Sequence, residues 1–91
     1  MSQSTPEEIK ALLDASYSWP AVYQFKFIIE GDLKKIALVQ DLFNTNTSEI
    51  SMKNSSKGKY VSITAKEVMN SSDEVLKIYA KAKAIEGLIS L

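Results

Sequence analysis

Cysteine, histidine and arginine are all missing from this 91-residue chain. Without Cys and His, a structural zinc site, a thiol nucleophile and a Ser-His-Asp mechanism are excluded. With no cysteine there is no disulfide, so nothing indicates a redox compartment. All eleven positive charges are lysines, which lack the planar fork that binds phosphate or carboxylate in two places at once. Eleven acids balance them, giving net charge zero and a pI near 6.2. Bulk attraction to nucleic acid or to an anionic membrane is not expected from such a balance. No apolar run approaches the ~20 residues that cross a bilayer. The opening Met1 to Glu8 is polar and acidic, the reverse of a signal peptide, so the cytoplasm is the expected location.

Catalysis is left to Asp, Glu, Lys, Tyr, Ser and Thr. General acid–base work needs a group whose pKa is moved by burial, and the acids fall at caps, loops and outward positions. Glu30 and Asp32 form a carboxylate pair, but no spacing around them builds a metal cage. The sequence therefore predicts no enzyme activity, no cofactor and no metal.

The length suits one domain over residues 5–91, preceded by a disordered start at 1–4. Thr5-Pro6-Glu7-Glu8 reads as a helix start, with Thr5 as N-cap, Pro6 in the first turn and Glu8 closing a capping box. Ile9, Leu12 and Leu13 recur at helical spacing and are expected to dock this short extra helix. Trp19-Pro20 ends it and anchors the lead-in. Ala21 to Glu30 alternates as a strand, Tyr23, Phe25, Phe27 and Ile29 on one face, Val22, Gln24, Lys26 and Ile28 on the other. Gly31-Asp32 breaks the strand, and Asp32 caps a helix over Leu33 to Phe43. That helix is expected to bury Leu33, Ile36, Ala37 and Phe43. Leu38 and Leu42 fall outside the stripe, either exposed or covered by the first helix.

Asn44 to Ser48 is a polar connection, and Glu49 to Lys53 a short strand with Ile50 and Met52 on one face. Asn54 to Gly58 has hairpin-loop chemistry. Lys59 to Val68 returns, with Val61, Ile63 and Ala65 inward and Tyr60, Ser62, Thr64 and Lys66 outward. Ser71 and Glu74 form a second capping box for a helix that buries Val75, Ile78, Tyr79 and Ala82. Gly87 precedes a last strand, Leu88 to Leu91. The order βαββαβ is the split βαβ, or ferredoxin-like, pattern: an α+β fold with a four-stranded antiparallel sheet and two helices on one face.

Two stretches carry a family resemblance: Trp19-Pro20-Ala21-Val22-Tyr23-Gln24-Phe25-Lys26 and Gly58-Lys59-Tyr60-Val61-Ser62-Ile63-Thr64. With them the chain resembles the YbeD-like bacterial proteins of unknown function (domain of unknown function 493) over about residues 17–91. The resemblance implies a ferredoxin-like fold similar to ACT regulatory domains, and no established activity.

Three functions are compatible with these residues. The first is a small adaptor or regulatory domain that contacts another protein through an edge strand or through Leu38 and Leu42. The second is an ACT-like amino-acid sensor, whose effector the resemblance would place at the Gly31-Asp32 turn. Its plainer reading is a turn and a helix cap, and Glu30 and Asp32 would repel a carboxylate. The third is RNA binding. Lys57-Gly58-Lys59-Tyr60-Val61 is similar to the third-strand signature of RRM domains, which stack bases on sheet aromatics. Only Tyr60 is aromatic there, so nucleic acid is not the expected partner. Lys53, Lys57 and Lys59 cluster at the hairpin, as a solvated tip or as a patch for an acidic partner. The outward Lys/Ser/Thr/Gln surface offers little for face-to-face pairing. Edge pairing through the second or last strand, giving a weak homodimer, is the expected self-contact.

Overall fold

A computed structural model describes residues 5–44, 46–55 and 57–91. The start at 1–4, expected to be disordered, lies outside the described residues, as do Thr45 and Ser56 of the two polar connections. Helix α1 runs Pro6–Ser16, its capping box formed by Thr5 and Glu8 in both directions. Strand β1 runs Ala21–Glu30 after a cis Trp19-Pro20 bond. Helix α2 is Leu33–Gln40, strand β2 Glu49–Asn54 and strand β3 Tyr60–Met69. Helix α3 is Ser72–Lys83 and strand β4 Ile89–Ser90. The sheet order is β2-β3-β1-β4 with every pairing antiparallel. This is the ferredoxin-like arrangement expected, with α1 added in front.

The period-2 alternation of β1 and β3 decides the layers, because opposed residues in an antiparallel ladder share a face. Phe25 faces Ala65, Phe27 faces Ile63 and Ile29 faces Val61. All six are buried and meet Val39, Phe43, Met69, Val75, Ile78 and Ala82 in one cluster. Aromatic rings dominate its centre. Phe25 lies 5.2 Å from Phe43, 5.3 Å from Tyr79 and 4.7 Å from Tyr23, between ring centroids.

Helix α3 presents the expected stripe of Val75, Ile78 and Ala82, with Tyr79 packed at its margin. Ser71 accepts the Glu74 N–H as N-cap, while the Glu74 carboxylate reaches the Asn70 backbone N–H, at 3.0 Å, and not that of Ser71. The N-terminus of α3 is therefore tied, but by a box shifted one residue outward at its acidic half.

Helix α2 departs from expectation. It ends at Gln40, and its one buried residue is Val39. Leu33 is 84% exposed and Ala37 is exposed too. Leu33 is the first residue of the helix, over the turn that leaves β1, so its side chain clears the sheet instead of crossing it. The inward line is Ile36, Val39 and Phe43, spaced as one helical face. The expected Leu38/Leu42 pair is split: Leu38 is 51% exposed, whereas Leu42 packs against the core. Helix α1 rests on α3, and Leu38 stays open to solvent. Within α1 only Leu13 joins the core margin; Ile9 and Leu12 are exposed and no residue is buried.

Polar contacts seat α1 instead. Lys10 Nζ donates to Ser72 Oγ at 3.1 Å and to Asp73 Oδ1 at 3.0 Å, across to the start of α3. The Trp19 indole N–H donates to Asp14 at 2.9 Å, and the Trp19 ring stacks on Tyr17 at 5.3 Å. The expected anchor role of Trp19 thus has a defined partner.

Candidate functional site

Backbone hydrogen bonds along each strand alternate between its two neighbours, so one anchored bond orients the rest. Leu91 N–H donates to the Lys26 carbonyl at 2.9 Å. Lys26 therefore turns its backbone groups toward β4, and so do Ile28, Gln24 and Val22. Tyr23, Phe25, Phe27 and Ile29 turn theirs toward β3. Yet β4 is two residues long, and its ladder pairs Phe27 and Ile28 and extends to Lys26 through the Leu91 N–H. The strand expected over Leu88 to Leu91 is shorter at its start because the Leu88 N–H is still bonded to the Ile85 carbonyl in the turn after α3, at 3.3 Å. Among the described residues, nothing pairs with the outward N–H and C=O groups of Val22 and Gln24. Among the described residues, the first half of β1 is in effect an edge.

The same logic orients the other side. Ser55 N–H donates to the Tyr60 carbonyl at 2.8 Å, so even-numbered residues of β3 turn toward β2. By register, Glu49, Ser51 and Lys53 turn inward, and Ile50, Met52 and Asn54 present their backbone groups to solvent at the far edge.

The sheet face without helices is more apolar than the expected Gln24, Lys26, Tyr60, Ser62, Thr64 and Lys66. Val22 opposes Val68, and they are 60% and 56% exposed. At the other end Ile28 opposes Ile89, with Tyr60 close by and Leu91 continuing the line of β4. A shallow depression of about 650 Å³ lies there, lined by Ile28, Lys53, Asn54, Ser55, Tyr60 and Ser62. Val68, Ile89 and Leu91 escaped the sequence reading because each sits at a strand end, where alternation has too few residues to assign a face.

The hairpin residues Lys57 and Lys59 are exposed. Lys59 lies 6.0 Å from the ring centre of its neighbour Tyr60, so part of its charge is spent on that ring. The chain at Gly58 adopts φ +67°, a conformation glycine reaches without a Cβ clash.

Gly31 and Asp32 do the plain work of a turn. Gly31 N–H donates to the Lys59 carbonyl at 3.0 Å, and a Cβ there would come within 3.3 Å of the Gly58 carbonyl oxygen. The Asp32 carboxylate accepts the Lys34 N–H at 2.8 Å. Glu30 pairs with Lys35 at 3.3 Å. The turn is packed against the hairpin, and the depression lies on the opposite sheet face from the helix it opens.

One polar residue with a structural role went unread. Glu67 sits on the helix side of β3 and takes the Asn44 N–H, at 3.1 Å, and the Ser48 hydroxyl. It ties down the connection between α2 and β2.

Two groups titrate away from their usual range. The Ser72 hydroxyl and the Trp19 indole N–H, with Lys10 beside them, hold the Asp14 carboxyl below the usual carboxylate range. Burial pushes the Tyr79 phenol up, helped by its 3.1 Å hydrogen bond to Tyr23. Neither faces the open sheet surface. Among the described residues no three metal-ligating side chains gather, and no helix is long and apolar enough to cross a membrane.

A model of a protein family of unknown function, DUF493, matches residues 14–90. No curated protein and no solved structure matches the chain.

Proposed function

We propose a binding role without catalysis for this chain, which belongs to the DUF493 family of proteins of unknown function: a small cytoplasmic adaptor or regulatory domain. Its partner is an extended segment of another protein, added as a strand along the uncovered half of β1. The observation that carries this reading is the mismatch between a ten-residue β1 and a two-residue β4. It leaves Val22 and Gln24 with outward backbone groups, and strand addition to such an edge is a recurring mode of peptide recognition. Val22 borders the slot on the open face, with Val68 behind it on β3, so Val22 supplies an apolar contact for alternate side chains of the incoming strand. The Leu38/Leu42 alternative loses support, since Leu42 serves the core. A metabolite sensor gains no support from the packed Gly31-Asp32 turn.

Selection from a displayed random-peptide library tests the reading. The native chain is expected to enrich peptides with alternating apolar residues. Gln24→Pro removes an outward N–H and no bond of the β1–β3 ladder, a placement proline tolerates. That variant, shown to be folded by circular dichroism, is expected to lose the enriched peptides, as is Val22→Asp. Enrichment of the same peptides by Gln24→Pro would contradict the proposal.

A further inference from the structure

We infer that β2 is a self-association strand, joining a second copy of this chain in antiparallel pairing about a twofold axis at Ser51. This goes beyond the peptide slot and uses the opposite edge of the sheet. An isologous contact must be self-complementary, and hydrogen bonding restricts the options further. The residues that turn their backbone groups outward are Ile50, Met52 and Asn54, so these must face one another across the joint. Axes between residues would set outward against inward groups and fail. Axes at Ile50, Ser51 or Met52 satisfy the ladder.

Side chains choose among those three. With the axis at Ser51, Glu49 of each copy stands directly opposite Lys53 of the other, twice, on the open face. Ile50 stands opposite Met52, twice, on the helix side, and Ser51 meets Ser51. Met52 is 51% exposed in the single chain and Ile50 is half-buried, so this pairing covers an apolar side chain that the monomer leaves in water. An axis at Met52 would set Lys53 against Ser51 and Glu49 against Ser55. An axis at Ile50 would set Glu49 against Ser51 and Lys53 against Thr47. Only the Ser51 axis matches charge to opposite charge and apolar to apolar along the strand. The product is a continuous eight-stranded sheet with both helix layers on one side.

Charge exchange tests the strand, the register and the partner together. Glu49 and Lys53 are exposed, so Glu49→Lys and Lys53→Glu leave the core untouched. Association is read by sedimentation velocity up to millimolar concentration at low ionic strength, where surface charges are least screened. The native chain is expected to form dimers. Each single variant places like charges opposite each other at two points and weakens dimerisation by about tenfold or more. An equimolar mixture of the two variants restores both attractive pairs and recovers native-like association. A native chain that stays monomeric, single variants that associate as the native chain does, or a mixture that does not recover, would overturn the inference.

Discussion

The two faces of the sheet are built from the same strands, residue by residue in alternation, yet their apolar side chains have opposite fates. Phe27 is buried beneath the helices while Ile28, the next residue, belongs to the open face. Val61, Ile63 and Ala65 are buried; Val68, on the same strand, is more than half exposed. Burial on the covered face takes all three phenylalanines and leaves Tyr60 to the open face. The apolar residues left on the open face add nothing to that core. They cluster at the two ends of the sheet, beside the uncovered half of β1 and beside the hairpin, and leave the middle to Gln24, Lys26, Thr64 and Lys66. Residues that fold the chain and residues available to partners are thus separated by a one-residue step.

The largest expected effect breaks that contrast directly. Phe27→Ala empties a fully buried ring site and should cost about 3–5 kcal/mol, measured by urea unfolding. The neighbouring change Ile28→Ala should cost far less, because its side chain is only partly covered. Equal costs would mean that the two faces do not differ as described. A second pair sharpens the boundary in α2. Val39→Ala should cost about 2 kcal/mol through lost burial and a residual cavity, and Leu33→Ala under about 0.5 kcal/mol. The reverse order would restore the stripe read from the sequence.

A smaller effect concerns the polar seat of α1. Asp14 has a lowered pKa in the folded chain, so its contribution to stability is present above its ordinary value of 3.8 and is lost as pH falls through the folded value. Stability of the native chain should exceed that of Asp14→Asn near neutral pH, and the difference should close on acidification below the ordinary carboxylate range. A difference that persists unchanged into strong acid would remove the hydrogen-bonded carboxylate from the account. The smallest change is expected from Val68→Thr on the open face, under about 0.5 kcal/mol by urea unfolding.

Much of the fold was legible in the sequence, for identifiable reasons. Strand β1 was readable to the residue because Tyr23, Phe25, Phe27 and Ile29 recur at every second position of a segment bounded by a proline and a glycine. The caps at Thr5, Asp32 and Ser71 were readable because their partners lie within three residues. The inward face of α2 was not. Leu33, Ile36, Ala37, Leu38, Val39, Leu42 and Phe43 are so densely apolar that several stripes fit, and contact with the sheet decides among them. The sites were less legible still. The empty half of β1 depends on how far β4 runs, and Leu88 to Leu91 carries no signal that the regular strand is confined to Ile89 and Ser90. The alternation of backbone groups toward one neighbour or the other leaves no trace in side-chain pattern at all.

Residue-resolved amide hydrogen exchange on the free chain tests the uncovered edge most directly. The N–H groups of Tyr23 and Phe25 point into the β1–β3 ladder, and those of Val22 and Gln24 point outward. Slow exchange at Tyr23 and Phe25 with fast exchange at Val22 and Gln24 is the predicted result. Equal protection at all four positions would mean that the edge is already occupied, and would contradict the proposed binding slot.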